Sequence, residues 1–272
     1  MKNNPAGAGK TALITGASSG IGRAIAGELA KRGCKTMILV SRNRSELEKV
    51  ATDLKIEHGT DVFIIAQDLS ESDAAEKVYA QVSALGLSVE IVVNNAGFAI
   101  GGPIVENDIG KMTRMMNVHM ICLALLTRLF AADMVARGNG LILNVSSVAG
   151  FTPVPFTGLY AATKAFINSF SVALNEELDG TGVTCTVLCP GGTQSEMMKR
   201  AGLNDTLLFN RLSFLVMSSE DVASAGVDGM FLGKRIVIPG IQNKGLAASC
   251  RILSKRLSGK IGILLLANRS SD

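Results

Sequence analysis

The chain has no tryptophan, two tyrosines and two histidines in 272 residues, and aromatic residues make up only 4% of it. Nucleic-acid binding leans on aromatic platforms beside basic stripes. No Lys/Arg block here is interleaved with aromatics and the net charge is +4, so a nucleic-acid partner is not expected. No histidine pair has metal-ligand spacing, and no metal site is expected. His58 falls near a helix end and reads as solvated, whereas His119 falls on a long apolar segment and reads as a packed side chain rather than an acid/base. Cys34, Cys122, Cys185, Cys189 and Cys250 are odd in number, form no CxxC pair and lie in apolar surroundings. They fit reduced core thiols in a reducing compartment, without disulfides. Residues 1–10 lack a charged-then-apolar leader pattern. The longest unbroken apolar runs, such as Ile261 to Ala267, fall far short of the ~18 residues of a membrane span. A soluble, cytoplasmic protein is the expectation.

What the chain has in quantity is aliphatic residues: 47% of it is apolar and mean hydropathy is +0.33. Parallel strands are buried on both faces and appear as unbroken Val/Ile/Leu runs. Such runs occur at 11–15, 36–40, 62–66, 89–93, 141–145 and 183–188, with a short one at 236–238. Helical spacing fills the gaps: Ile21, Ile25 and Leu29 ending at Gly33, a charged stretch over about 44–57, then about 71–85, about 112–136 ending at Gly138, and a segment to about 178 carrying Tyr160. Ser219, Glu220 and Asp221 read as the cap and acidic first turn of one more helix. Connections of this length allow parallel crossovers. The alternation predicts a single α/β domain with a Rossmann-like, doubly wound parallel sheet.

Two features carry chemistry. Tyr160 and Lys164 are one helical turn apart, so on a helix they share a face with Cβ atoms about 5–6 Å apart. Using a phenol at neutral pH requires lowering its pKa by roughly three units, about 4 kcal/mol. One positive charge about 4 Å away at an effective dielectric constant near 20 supplies about 4 kcal/mol. Lys164 is therefore expected to lower the Tyr160 pKa; Tyr79, with Ser83 in the corresponding place, has no such partner. Taken alone, the pair also suits a half-buried aromatic beside a lysine stem.

The second feature is the turn after the first strand, with Gly16, Gly20 and Gly22 spaced GxxxGxG. Glycines there let backbone approach a pyrophosphate and aim helix N–H groups at it. About 20 residues on, an acid favours NAD and an arginine accommodates a 2′-phosphate. The chain reads Ser41-Arg42-Asn43-Arg44, without an acid, so NADP(H) is the expected cofactor and Arg42 its 2′-phosphate ligand.

Together, TGASSGIG, Asn94-Asn95-Ala96-Gly97, Asn117, Asn144-Val145-Ser146-Ser147, Tyr160-xxx-Lys164 and Pro190-Gly191 resemble, in order and spacing over about 10–240, the short-chain dehydrogenase/reductase family. The resemblance implies a catalytic set of Asn117, Ser147, Tyr160 and Lys164. Ser147, thirteen residues before Tyr160, would bond the substrate oxygen, in preference to Ser146. Tyr160 would be the acid/base, Lys164 would lower its pKa and hold the nicotinamide ribose, and Asn117 would support a proton-relay water. Cofactor contacts are implied for Gly16, Ser18, Ser19, Gly20, Ile21, Gly22, Arg42, Asp68, Asn95, Ala96, Gly97, Tyr160, Lys164, Pro190, Gly191 and Thr193. Asp68 would sit near the adenine, though it also reads as a cap shared with Ser70. Asn95 reads equally as a brace of the sheet. Where the family usually has an aliphatic residue and then threonine after Pro-Gly, this chain has Thr193 and Ser195, and Thr193 is the preferred carboxamide contact.

Stretches expected around the substrate are apolar: 98–100, Val148, Phe151, Val154 and Phe156, and Leu203, Leu207, Leu208 and Phe209. They suit a hydrophobic carbonyl or alcohol. The expected divisions are a loose segment over 1–9, the dinucleotide-binding catalytic domain over 10–240, and an extension over 241–272. In the extension Lys244, Arg251, Lys255, Arg256 and Lys260 alternate with Leu246, Ile252, Leu253, Leu257 and the run 261–266, a basic amphipathic pattern. It suits packing on its own domain or a partner subunit, in preference to an anionic membrane surface. The expected activity is hydride transfer between NADP(H) and a carbonyl or secondary alcohol of a mostly apolar small molecule, by a homodimer or homotetramer. The alternatives are a 3-oxoacyl thioester reductase of fatty-acid metabolism and a non-catalytic NADP(H) sensor.

Overall fold

The computed structural model describes residues 6–193 and 216–252, with the side chains of 250–252 set aside. Every residue of β1 (Thr11–Thr15) is buried, and the strand alternates between two cores. Ala12 and Ile14 face one, with Ile25 and Leu29 of α1 (Gly20–Lys31), Leu47 and Val50 of α2 (Arg44–His58), and Val227 and Met230 of α7 (Ser219–Phe231). Leu13 faces the other, with Val78 of α3 (Ala74–Ala84) and with Leu126, Phe130 and Met134 of α5 (Leu123–Arg137). Burial on both faces is why the strand reads as an unbroken apolar run.

β2 (Thr36–Ser41), β3 (Asp61–Ala66), β4 (Ile91–Asn94), β5 (Gly140–Val145), β6 (Val183–Leu188) and β7 (Ile236–Val237) complete one all-parallel sheet in the order β3-β2-β1-β4-β5-β6-β7. The order reverses between β1 and β4, which pair Leu13 with Val92. All strands end at one edge, and a ligand crevice is expected there, at the reversal. α6 (Gly158–Glu177) packs on β6 through Ile167 and Val187.

The expected sheet, helix order and most boundaries are the observed ones. Within the segment expected to be loose, Gly7 is anchored: its N–H donates to the Arg32 carbonyl at 3.0 Å. α7 is capped by Ser218, whose Oγ accepts the Asp221 N–H, and Ser219 is its first residue. The long fourth-crossover helix is a composite of α4 (Ile109–Met116), a π-helical stretch (Asn117–Cys122) and α5. Among the described residues it is the one helix long and apolar enough to span a bilayer, although half of that window is buried in the domain.

α8 (Ile241–Ile252) opens the C-terminal extension, and its buried residues are Asn243 and Ala247, while Ile241 and Leu246 are exposed. The expected apolar face is therefore not the one that docks, at least over 241–249. The expected lid residues Leu203, Leu207, Leu208 and Phe209, together with Ser195, the side chains of Cys250, Arg251 and Ile252, and the extension from Leu253 onward, lie outside the described residues.

A polar network crosses the core behind the strand ends. The Asn94 amide donates to Thr127 Oγ1 and to Asn144 Oδ1, both at 2.9 Å, and the Asn144 amide donates to Ser171 Oγ at 3.0 Å. All four side chains are buried. Asn144→Ala should leave the Asn94 and Ser171 groups short of a partner and cost about 1–3 kcal/mol. Urea unfolding with an unchanged m-value and a lowered midpoint would show this.

Candidate active site

The glycine turn sits at the strand reversal. Gly16 (φ 67°) and Gly20 (φ 53°) occupy the left-handed region that glycine tolerates best. The turn is clamped from β4: the Asn95 amide donates to the carbonyls of Thr15 at 3.0 Å and Gly16 at 3.2 Å, and Thr15 Oγ1 accepts the N–H groups of Asn95 and Ala96. Of the two expected readings of Asn95, its amide thus fulfils the bracing one. A β-carbon at Gly22 would run into the Gly16 carbonyl and this amide. Ser19 makes no side-chain cap on α1 and the first turn holds no acid, which leaves helix N–H groups facing the crevice. Ile21 packs against the first core, and Ser18 Oγ lies 3.1 Å from Ser41 Oγ at the end of β2. A dinucleotide pyrophosphate fits this cradle: backbone close to the surface, a positive helix end, and no competing carboxylate.

Beside it, Arg42 is 68% exposed and only loosely paired, with Asp68 at 3.9 Å. Arg44 is engaged with Glu48 at 3.1 Å. Asp68 Oδ1 accepts both the backbone N–H and the hydroxyl of Ser70, the capping role. Burial works to raise the Asp68 carboxyl, but the Ser70 bonds and the charges of Arg42 and Arg114 outweigh it and hold it below the usual value.

At the ends of β5 and β6 the acid/base groups converge. Lys164 is buried and its Nζ donates to the Val145 carbonyl at 3.0 Å; Ser146 Oγ returns a bond to the Lys164 carbonyl at 2.9 Å. Ser146 is thereby committed to structure. The Ser147 hydroxyl caps the short 3-10 turn Val148–Phe151 through the Ala149 N–H and donates to the Pro190 carbonyl at 3.4 Å. Burial pushes the Tyr160 phenol up to about 12, with Ser147 lowering it in part. The expected lowering by Lys164 is not what this geometry gives. The ammonium lies 5.6 Å from the ring centroid, over the ring, with one of its protons directed to the Val145 carbonyl. Burial also lowers Lys164 to about 8, against a smaller effect from Cys189.

The Asn117 side chain is engaged elsewhere: its amide donates to the Ser70 carbonyl at 2.9 Å. The side chain that this helix places against Tyr160 is His119, as a packed residue. A π-helical stretch shifts the helix phase, and 3.6-residue spacing cannot reveal it. Thr163, whose hydroxyl bonds the Tyr160 carbonyl and lies against His119, was also missed; its only signal is adjacency to Lys164.

On the far side, the Thr193 hydroxyl donates to the Gly191 carbonyl, and a β-carbon at Gly191 would strike the buried Asn243 side chain of α8. The C-terminal helix thus packs on the Pro190-Gly191 loop. Phe98 packs on His119, Phe151 on the α6–β6 cluster, and Phe156 is 48% exposed with φ 62°.

The family model for short chain dehydrogenases matches residues 10–205. The chain belongs to the short-chain dehydrogenase family. A short chain dehydrogenase of Pseudocercospora fijiensis is 39% identical to it over 191 residues, 70% of this chain and 61% of that protein. A very-long-chain 3-oxoacyl-CoA reductase of Anas platyrhynchos is 36% identical over 199 residues, 71% of this chain and 62% of that protein. The chain therefore spans about three fifths of the length of these relatives. Among solved structures, a short-chain dehydrogenase from Sphingobium yanoikuyae in complex with NADPH is similar with a TM-score of 0.79 and 30% identity, covering 97% of both chains. In this short-chain dehydrogenase the Rossmann-like sheet places the family's tyrosine, lysine and serine motifs at one strand edge.

The lowered Lys164 pKa sets a pH dependence. In the unfolded chain a lysine titrates near 10.4, about two units higher, so between about pH 8 and 10 the unfolded state binds more protons and stability rises with pH. Relative to Lys164→Met, the parent protein should gain on the order of 2 kcal/mol over that window. Parallel stability curves for the two proteins in urea would contradict the buried ammonium.

Proposed function

We propose that the chain is an NADP(H)-dependent oxidoreductase acting on a carbonyl or secondary alcohol of a mostly apolar small molecule, with Tyr160 as acid/base. The observation that carries this reading is that Tyr160 and Ser147 lie about one buried lysine, whose ammonium sits over the Tyr160 ring, at the edge where the glycine turn opens. The cradle of Gly16, Gly20 and Gly22 with the α1 N-terminus would hold the pyrophosphate, Arg42 the 2′-phosphate, and the Pro190 to Thr193 loop the nicotinamide end. When bound, NADP(H) supplies or accepts the hydride.

The chain's own groups account for the proton. Two hydroxyls at one strand edge can both turn to one substrate oxygen, Ser147 as donor and Tyr160 as the group whose Oη proton transfers. A phenol held near 12 stays protonated at neutral pH and is set up to donate toward an alkoxide, which matches reduction. Lys164, lowered to about 8, exchanges protons near neutrality and sits one turn from Tyr160 to replenish it. The very-long-chain 3-oxoacyl-CoA reductases among the relatives support a second reading of the substrate, a 3-oxoacyl thioester, and the partly exposed apolar groups Phe98, Val154 and Phe156 suit either.

Measured against purified protein, NADPH should bind more tightly than NADH and be oxidised in the presence of one class among apolar ketones, quinones and 3-oxoacyl thioesters. Tyr160→Phe should cut turnover by roughly a thousandfold with NADPH affinity nearly unchanged, and retained turnover would remove Tyr160 from the acid/base role. Arg42→Asp should reverse the NADPH/NADH preference; an unchanged ratio of dissociation constants would assign the 2′-phosphate to another residue.

A further inference from the structure

Every polar atom of His119 is engaged. The residue lies in the π-helical stretch Asn117–Cys122 and is fully buried. Nε2 accepts the backbone N–H of Phe98 at 3.0 Å, and Nδ1 lies 2.8 Å from Thr163 Oγ1. Thr163 directs its single proton to the Tyr160 carbonyl, 2.8 Å away. The tautomer is thereby fixed: Nε2 receives an N–H and must be bare, so Nδ1 carries the hydrogen and donates to Thr163. The ring stands edge-on to Tyr160, centroids 5.8 Å apart at 72°, and to Phe98, 6.0 Å apart at 65°. Gly97 makes the room, since a β-carbon there would lie 2.6 Å from Nε2.

These contacts exclude proton shuttling. An imidazolium would place a hydrogen on Nε2 against the Phe98 N–H and a second cation near the buried Lys164. Burial and the Lys164 charge push the His119 pKa well below its ordinary value. Tyr160 and Lys164 are the titratable groups facing it from α6, and the end of β4 presents the Phe98 N–H and ring. We propose that His119 is a positioning residue for Tyr160: a neutral strut that fixes the Tyr160 turn of α6 against the Gly97-Phe98 end of β4 and shields one side of its ring. This rests on the reading of Tyr160 as acid/base.

The test uses the scarcity of chromophores. With no tryptophan and two tyrosines, a Tyr79→Phe background leaves Tyr160 as the only phenol, and its ionisation is read directly by phenolate absorbance without substrate. In that background His119→Ala should admit water and bring the phenol down from about 12 toward its ordinary value near 10, at least a tenfold change in ionisation constant. His119→Gln, which keeps an acceptor at the Nε2 position, should stay closer to the parent. With a turned-over substrate, His119→Ala should lower kcat at least tenfold with KM little changed, and the glutamine should recover part of it. His119→Asn, which loses the Nε2 acceptor, should show an intermediate phenol shift and carries the test if the alanine variant does not fold. A parent-like phenol ionisation in whichever of these two folds would overturn the proposal. Failure of the parent to turn over any carbonyl would instead count against the proposed reaction and leave the titration decisive for His119.

Discussion

Lys164 places an ammonium inside the domain, on the carbonyl that ends β5, and burying a charge of that size costs several kcal/mol even after relaxation. The cost is visible in a pKa brought down to about 8. What it secures is geometry: Lys164 Nζ bonds Val145, Ser146 returns the bond to the Lys164 carbonyl, and α6 and the end of β5 are locked together from both sides. Tyr160 lies one turn before that lock and Ser147 one residue beyond it. Neither hydroxyl can move far from the other without breaking a buried charged hydrogen bond.

The rest of the edge is braced in the same manner. Asn95 ties the glycine turn to β4, and Asn94, Thr127, Asn144 and Ser171 join β4, β5, α5 and α6 behind it. In a parallel sheet the strand ends leave backbone groups without ladder partners, and polar side chains there do double duty by satisfying them. The crevice thus combines a rigid rear wall with a front of glycine backbone, exposed Arg42 and two hydroxyls.

Much of this was legible from the residues. The apolar runs marked the strands because both faces are buried, and Gly33 and Gly138 marked helix ends because the chain turns left-handed there. The Ser147, Tyr160 and Lys164 cluster was legible because its spacings are local. Long-range consequences were not. The π-helical stretch shifted the phase of a helix whose composition gave no warning, so Asn117 turned to Ser70 and His119 to Tyr160. The direction of the Tyr160 shift also depends on where the ammonium points, and sequence spacing fixes only the distance between helix positions, not that direction. Asn243 against Gly191 joins residues 52 positions apart through a buried amide that no motif announces.

The proposed function requires one crevice at the strand ends to hold NADP(H) with its reactive end at Tyr160. A crystal structure with NADPH tests it most directly. The pyrophosphate should lie over the Gly16 to Gly22 turn, the 2′-phosphate against Arg42 and the nicotinamide facing Ser147 and Tyr160. A dinucleotide lying elsewhere, or one whose nicotinamide end points away from Tyr160, would contradict it.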